Sequence, residues 1–462
     1  MKKIFILFFI INSLHSDAQQ INQEFNSAFK ELAQDSVFQH ATISLYVINT
    51  TTGKTVTEVN TNIGVAPASC QKVITASTAF ELLGHDYTYK TSLGYTGKIV
   101  NGVLRGDIII KGSGDPTLGS WRYPQATEDN IISDFKKAIS REGINEIKGH
   151  VFADESLWND EATPDGWVWQ DIGNYYGAGA RALNWRENQY DLYLKSGEHI
   201  GDPVTVAETN PAFVEGLHLK SEVTSGAKGS GDNNYIYMPL DDPFSHIRGT
   251  TPIDEDHFKI SGAMPHPALQ LALTLEAALK NEPIEKIAKD YPSQKNLEPS
   301  KVFYTYTSPV LDSIIFHFLR RSINLYGEAL IKTLGYNFTK AGATDSGVSV
   351  IQNFWKNKGI EPYAINIIDG SGLSPANRVT TKALVTVMEY ARKQSWFPSF
   401  YAALPTISGI KMKSGSINGV ISYTGFIKGK DNNQYTFSFV INNYYGSGNE
   451  VRKKMWKLLG IL

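Results

Sequence analysis

Residues 303–462 constrain the fold more than any other part of the chain. Apolar residues at helical spacing predict four helices there, over 309–334, 348–358, 381–393 and 449–459. Alternating apolar residues predict strands over 411–423, 424–428 and 435–442, with a turn at 430–433. A polar break at 320–324 interrupts the first helix. Helices packed on an antiparallel sheet are typical of an α+β domain, which is the predicted fold class.

The start of the chain has a similar mixture of elements. A helix is predicted over 21–34, strands over 41–48 and 55–59, and an apolar helix over 73–83 that Gly84 ends. From about residue 88 to residue 302 the pattern changes to short strands, glycine-rich turns and a few helices. A chain of 462 residues with 42% hydrophobic residues exceeds what one core usually supports, so two or three domains are expected.

Composition and the N-terminal segment limit where such a chain acts. Residues 1–18 combine a charged start, an apolar run and small residues, which predicts a secretory signal peptide. Cys70 is the only cysteine, so no internal disulfide forms; this composition suits a bacterial periplasmic protein. We expect Cys70 to be a small buried residue. A net charge of -2 offers no basic footprint for nucleic acid, and no later apolar run predicts a membrane span.

Ser69 and Lys72 form the first candidate catalytic pair. They lie three residues apart where a loop becomes a helix, so both side chains share one helical face. A serine hydroxyl needs a neighbour that takes its proton, and burial would favour the neutral lysine that this requires. The alternative is that Ser69 is an ordinary helix N-cap. Residues 133–136 and 225–228 have the same Ser-x-x-Lys spacing, but only Ser69 precedes an apolar helix.

Two further patterns supply candidate partners. Ser322 and Asn324 lie at the predicted helix break, where a hydroxyl and an amide can face one cavity. Lys413, Ser414 and Gly415 open a predicted strand; the lysine supplies fixed positive charge, the hydroxyl suits a carboxylate, and glycine permits close ligand approach. Each pattern is weak alone, because residues 416–418, 447–449 and 195–197 repeat them.

The ordered set Ser-x-x-Lys, Ser-x-Asn and Lys-Ser/Thr-Gly is typical of β-lactamases and penicillin-binding proteins. The whole mature chain resembles the class C penicillin-binding proteins, the D-Ala-D-Ala carboxypeptidases/endopeptidases of the penicillin-binding protein 4 type. The segments that carry this resemblance are 66–72 (APASCQK), 111–118 (KGSGDPTL), 322–329 (SINLYGEA), 369–374 (DGSGLS) and 413–420 (KSGSINGV). Ser414 replaces the threonine usual in this family, and Ile323 stands where aspartate is common; both changes are compatible with activity.

The resemblance implies a domain organisation. β-Lactamases keep the first two motifs much closer together than Lys72 and Ser322 are here, which implies a large insertion between these motifs. A transpeptidase-like domain would comprise residues 19–88 and 303–462, on either side of the insertion. Residues 89–200 and 262–302 would form an inserted domain, and residues 201–261 a third domain nested inside it.

The resemblance also implies a mechanism. Ser69 would attack the D-Ala-D-Ala peptide bond with Lys72 as its base. Ser322 would pass a proton to the leaving amine, Asn324 would orient the substrate amide and Lys413 would support the network. The N–H groups of Ser69 and Ser416 would form the oxyanion hole, and Ser414 and Gly415 would bind substrate.

Asp154 resembles a family position that contacts the amino end of the peptidoglycan stem diamino acid; its alternative is capping of a turn. No metal or cofactor is implied, and the expected partners are peptidoglycan peptides and β-lactams in the periplasm. Two other functions stay open: a serine β-lactamase or esterase that uses the same pair, and a non-catalytic wall-binding protein.

Overall fold

The structure is a computed structural model of the chain, and it describes residues 21–239, 241–293 and 298–462. The predicted signal peptide over 1–18 lies outside the described residues. Contacts between Cα atoms divide the chain into two compact units. The first contains the described residues 21–83 together with Ile315–Ser322 and Val348–Leu462. The second contains the described parts of Gly84–Ile314 together with Ile323–Gly347.

A six-stranded antiparallel sheet forms the centre of the first unit. In spatial order its strands are Thr406–Ile407, Ile410–Ile417, Val420–Lys428, Gln434–Asn442, Thr42–Asn49 and Thr55–Val59. The central strand Gln434–Asn442 pairs on one side with Val420–Lys428 and on the other with Thr42–Asn49. The two ends of the chain therefore meet in one sheet.

The two faces of this sheet carry different side chains. One face is an apolar core in which Leu45, Phe439 and Met455 are completely buried. The helices that cover it are 21–33 and Gly448–Leu459. On the other face, Ser44 hydrogen-bonds to Thr381 (Oγ to Oγ1, 2.8 Å) at the start of the helix Thr381–Ala391. This alternation of side chains is what the strand pattern predicts.

The predicted turn at 430–433 is confirmed, but one predicted boundary between strands is wrong. The sequence pattern placed that boundary at 423/424, whereas the structure turns at Asn418 and Gly419, between the strands Ile410–Ile417 and Val420–Lys428. Gly419 has a positive φ of 69°, which glycine adopts without steric cost, and an Asn-Gly pair between two strands is a strong hairpin signal. The Asn-Gly pair outweighs the alternation of apolar residues.

The predicted break in the long helical stretch is confirmed. The helices Leu311–Arg321 and Asn324–Thr339 are separated by Ser322 and Ile323. Ser322 has a φ of 59°, in the left-handed region that non-glycine residues adopt rarely. The remaining helices associated with the first unit are Lys72–Leu83, Thr344–Asn357, which begins in the second unit, and Phe397–Ala403.

The second unit contains four small sheets. The largest has the strand order Lys301–Thr307, Lys90–Tyr95, Ile108–Lys111 and Val151–Asp154. A three-stranded sheet has the strand order Thr205–Asn210, Gln189–Lys195 and Phe258–Ala263. A second three-stranded sheet has the order Leu219–Gly226, Ser245–Pro252 and Tyr235–Tyr237. The last joins Lys98–Val100, Val103–Arg105 and Glu146–Ile147. The helices are Glu128–Arg141, Trp169–Ile172, Pro267–Lys280, Ile284–Lys289 and Asn324–Thr339.

The two three-stranded sheets that lie between residues 189 and 263 share one apolar core. Leu192, Leu194 and Ile247 are fully buried in it. The strand Gln189–Lys195 pairs with both of its neighbours, so this core begins before residue 201. The three-domain division stays a prediction. Across the described residues, no helix is both long and apolar enough to cross a bilayer.

Candidate active site

Ser69 lies in a short 3-10 turn, Ala68–Gln71, that leads directly into the helix Lys72–Leu83. The turn begins at Ala68, which has a φ of 46°, an uncommon value for a residue with a side chain. Ser69 is therefore not the N-cap of the helix, which was the alternative interpretation. Its Oγ instead accepts a hydrogen bond of 2.8 Å from Lys72 Nζ.

Lys72 is completely buried. Its Nζ also donates to the backbone carbonyl of Ser371 at 2.8 Å and lies 5.9 Å from the centre of the Phe318 ring. A buried ammonium is costly unless hydrogen bonds compensate it. These contacts hold the Lys72 amine in position next to the Ser69 hydroxyl.

The loop 369–374 holds Lys72, a function that the sequence did not reveal. The Asp369 carboxylate accepts hydrogen bonds from the N–H groups of Gly372 (2.8 Å) and Ser374 (2.7 Å). It also accepts one from Gln71 Nε2 (2.9 Å), which lies in the turn of Ser69. The glycine-rich loop is therefore tied to the nucleophile turn and presents the Ser371 carbonyl to Lys72.

Lys413 and Ser322 form a second Ser/Lys contact. Lys413 is 1% exposed, and its Nζ donates to Ser322 Oγ at 3.0 Å and to the carbonyl of Ser414 at 2.7 Å. Burial lowers the pKa of Lys413 to about 8. Lys413 therefore carries its positive charge at neutral pH and loses it as the pH rises through about 8.

Gly415 is required for a reason that differs from the predicted one. A Cβ at this position would lie 2.4 Å from Ser422 Oγ, 2.7 Å from the Ser69 nitrogen and 2.9 Å from the Cys70 nitrogen. The missing side chain lets the strand Ile410–Ile417 approach the nucleophile turn itself. This brings the strand that carries Ser414 and Ser416 beside Ser69.

A cavity of about 360 Å³ lies at this point within the first unit. Its lining residues are Ser69, Ser322, Ile407, Ser414, Gly415, Ser416, Tyr423, Arg452 and Trp456. The structure thus brings together the predicted residues from all three motifs that belong to this unit. Arg452 and Trp456 belong to the terminal helix, and no motif predicted them, since contacts between distant segments leave no local sequence signal.

Asn324 and Asp154 belong to the second unit. The Asn324 amide donates to the carbonyl of Tyr176 at 2.8 Å. Asp154 Oδ2 lies 3.1 Å from Lys111 Nζ and is 3% exposed. Burial would raise the pKa of Asp154, but hydrogen bonds from Ser156 and the charge of Lys111 outweigh it, so this pKa lies below its ordinary value. Their roles in substrate binding stay predictions.

The repeated patterns have other partners. Lys228 lies 3.4 Å from Asp254 (Nζ to Oδ2), and Ser225 belongs to the strand Leu219–Gly226. Lys195 lies 2.9 Å from Asp256 (Nζ to Oδ1). In the pair Ser69 and Lys72, by contrast, the lysine hydrogen-bonds to the serine of its own pattern.

Cys70 is buried, as expected, and its Sγ contacts the carbonyl of Lys413 at 3.2 Å. Burial raises the pKa of its thiol to about 11, so the thiol is a poor nucleophile at neutral pH. Within the described ranges, no group of three or more His, Cys, Asp or Glu residues could hold a metal ion.

Comparisons with known proteins identify the family and the fold of the chain. Residues 25–411 match the family described as D-Ala-D-Ala carboxypeptidase 3 (S13), a span that ends just before Lys413. A D-alanyl-D-alanine carboxypeptidase of Actinomadura sp. (strain R39) is 24% identical over 90% of this chain and 80% of the relative. Penicillin binding protein 4 from Haemophilus influenzae superposes with a TM-score of 0.74 at 21% identity, over 91% of this chain and 95% of that chain.

A second structure of the Haemophilus influenzae protein, in complex with a β-lactam, superposes with a TM-score of 0.68 at 20% identity, over the same shares of the two chains. These superpositions confirm the predicted α+β fold of the penicillin-binding type. Since the family match covers most of the chain, the protein belongs to the D-Ala-D-Ala carboxypeptidase 3 (S13) family and is a serine-type D-Ala-D-Ala carboxypeptidase.

Proposed function

We propose that the enzyme cleaves peptidoglycan stem peptides through an acyl-enzyme on Ser69. The observation that carries this proposal is the 2.8 Å hydrogen bond between Lys72 Nζ and Ser69 Oγ at the wall of an open cavity. With Lys72 neutral, its amine takes the Ser69 proton as Oγ attacks the carbonyl of the penultimate D-Ala. The tetrahedral intermediate then collapses, and the peptide C–N bond breaks.

Ser322 delivers a proton to the leaving amine in this mechanism. Its Oγ accepts a hydrogen bond of 3.0 Å from Lys413 Nζ, which supports a proton relay from Lys413 through Ser322. The N–H groups of Ser69 and Ser416 bind the oxyanion, a contribution of about 3 kcal/mol for each donor. The Ser414 hydroxyl binds substrate, and Asn324 orients the substrate amide. Water then attacks the ester and frees Ser69.

A β-lactam would acylate Ser69 by the same attack and leave an ester that hydrolyses slowly. Cleavage of cross-linked peptides is a second activity of the same chemistry, because D-Ala also supplies the carbonyl group of the peptide bond that forms the cross-link. We further propose that residues 1–18 export the enzyme to the periplasm, that Asp154 binds the amino end of the stem diamino acid, and that the three-domain division holds.

The deciding assay is D-Ala release from a pentapeptide that ends in D-Ala-D-Ala. Wild type should release D-Ala, whereas Ser69→Ala and Lys72→Met should lose activity by at least about a thousandfold. Ser133→Ala is the matched control, because Ser133 has the same Ser-x-x-Lys spacing inside the helix Glu128–Arg141. Activity that survives in Ser69→Ala would exclude the proposed nucleophile.

The same protein preparations separate the alternatives. A β-lactamase would turn over penicillin rapidly instead of retaining it, and a wall-binding protein would bind peptidoglycan without releasing D-Ala. Rates on cross-linked dimers, compared with rates on the pentapeptide, measure the balance between endopeptidase and carboxypeptidase activity.

A further inference from the structure

A second cavity, of about 310 Å³, lies wholly within the second unit and shares no residue with the Ser69 cavity. Its volume falls within the range of small-ligand sites, roughly 300–1,000 Å³. Apart from Gly119 and Trp121, the described residues that line it are polar or charged. The cavity thus combines one large aromatic ring with many hydrogen-bonding groups.

Trp121 is half exposed on a loop that the structure holds in place. The side chain is 50% exposed, a large share for a tryptophan. Two residues earlier, a Cβ at Gly119 would lie 2.7 Å from the Trp185 ring, and the φ of 75° at this position favours glycine. The Arg186 N–H donates to the carbonyl of Leu118 at 3.0 Å. The loop therefore packs closely against the segment that follows Trp185.

The buried carboxylate of Glu187 fixes the same loop. Glu187 is 2% exposed, and its Oε1 accepts hydrogen bonds from Ser120 Oγ at 2.7 Å and from Arg122 Nε at 2.9 Å. The Arg122 guanidinium in turn lies 5.3 Å from the centre of the Trp121 ring. The neighbours of Trp121 on both sides are thus tied to Glu187, which preorganises the exposed ring.

The segment that supplies Glu187 has an uncommon backbone. Arg186, Glu187 and Asn188 have successive φ values of 55°, 53° and 51°, in the left-handed region that non-glycine residues adopt rarely. Strain of this kind persists only where the surrounding structure enforces it, and it is concentrated at functional sites. This segment forms a wall of the cavity through Arg186 and Gln189.

The charges of the cavity favour an uncharged ligand. Lys259 Nζ lies 2.7 Å from Asp191 Oδ2, and Arg186 forms an ion pair with Glu128. The two cations are therefore neutralised by their own neighbours, and Asp129 adds an exposed carboxylate. A strongly anionic ligand would meet repulsion from Asp129 without a cation that is free to bind it.

A sugar ring has the two properties that this cavity suits. The C–H groups on its face can pack on an aromatic ring, and each of its hydroxyls both donates and accepts a hydrogen bond. Trp121 offers the aromatic face, while Asp129, Gln189 and Asn210 offer carboxylate and amide groups. A preorganised ring also reduces the entropy that is lost on binding.

We propose that this cavity binds the glycan chain of peptidoglycan, with one sugar ring stacked on Trp121. The identity of the polymer rests on the proposed function, because the stem peptides are attached to a chain of N-acetylated sugars. The site would hold the polymer whose peptides the enzyme cleaves.

The binding test uses the full-length protein and short peptidoglycan glycan chains from which an amidase has removed the peptides. In isothermal titration calorimetry, Trp121→Ala should weaken binding at least about tenfold, and Trp121→Phe, which keeps an aromatic ring, should bind with intermediate affinity. Asp129→Ala should weaken binding about tenfold through a lost charge-assisted hydrogen bond. Trp169→Ala is the matched control, because Trp169 is 49% exposed in the same unit, and it should bind as wild type does.

D-Ala release separates this inference from the proposed function. Trp121→Ala should slow release from pentapeptides attached to intact glycan severalfold, and release from the free pentapeptide should change less than twofold. Three results overturn the inference: no glycan binding by wild type, wild-type affinity in Trp121→Ala, or an equal loss in Trp169→Ala. Glycan binding that depends on Trp121, in a protein that releases no D-Ala from any peptide, would refute the proposed function alone.

Discussion

Replacing Lys413 by methionine should stabilise the folded protein at neutral pH and remove its activity. Burial lowers the pKa of Lys413 from 10.5 to about 8, so the folded state binds its proton less readily than the unfolded chain does. At 1.36 kcal/mol per pKa unit, the buried charge costs about 3 kcal/mol of stability at pH 7. Methionine has a similar length without the charge. It forfeits the hydrogen bonds to Ser322 and Ser414, about 1 kcal/mol each, which leaves a net gain of about 1 kcal/mol.

The lowered pKa of Lys413 also determines how the stability difference between wild type and Lys413→Met changes with pH. Below pH 8 both the folded and the unfolded protein carry the Lys413 proton, and the folded state is penalised in full. Between pH 8 and 10.5 only the unfolded chain keeps it, so wild-type stability rises relative to the variant. Integrating this difference gives a relative gain of about 1 kcal/mol for wild type between pH 7 and pH 9.

Urea unfolding of both proteins at pH 7, 8 and 9 measures the difference directly. Lys453→Met, which replaces an exposed lysine, is the control and should show a constant difference from wild type across this range. A stability difference between Lys413→Met and wild type that does not change from pH 7 to pH 9 would refute the assignment of a lowered pKa to Lys413.

Three further predictions follow from the site. First, kcat/KM for D-Ala release should decrease as the pH rises through about 8, because Lys413 loses the charge that supports the network; a profile flat to pH 9.5 would contradict this. Second, Gly415→Ala should destabilise the fold by about 1–3 kcal/mol and reduce D-Ala release at least tenfold, because its Cβ displaces the Ser69 turn; thermal unfolding and the release assay would show it, and wild-type values would contradict the close approach. Third, the Cys70 thiol should resist iodoacetamide at pH 7.5 in the folded protein and react after unfolding in urea; mass spectrometry detects the adduct, and rapid labelling of the native protein would contradict the burial of the thiol.

Much of the first unit could be predicted from the sequence. The alternation of apolar residues over 435–442 reflects a strand with one face on the apolar core, and the break at Ser322 is visible as a polar interruption between two apolar helices. The pairing of Gln434–Asn442 with Thr42–Asn49 could not be predicted from local patterns, because these strands are far apart in the chain. The apolar pattern predicts one strand through 411–423 and misses the turn at Asn418 and Gly419, where the left-handed backbone of Gly419 ends the strand.

The sequence predicted the residues of the candidate site but not the contacts between them. The Ser69 and Lys72 pair followed from helical spacing, and the hydrogen bond confirms that the two side chains meet. The Ser371 carbonyl could not be predicted, because a backbone group has no residue signature. Arg452 was missed for a related reason: it reaches the cavity through tertiary packing of the terminal helix. The lowered pKa of Lys413 depends on burial, which spacing does not show.

The central claim is that Ser69 forms the acyl-enzyme, and intact-protein mass spectrometry after incubation with benzylpenicillin tests it most directly. Wild type should gain the mass of one penicillin molecule, peptide mapping should place it on Ser69, and the Ser69→Ala protein should gain nothing. An adduct that persists in Ser69→Ala, or a wild-type protein that remains unmodified at saturating penicillin, would contradict the account.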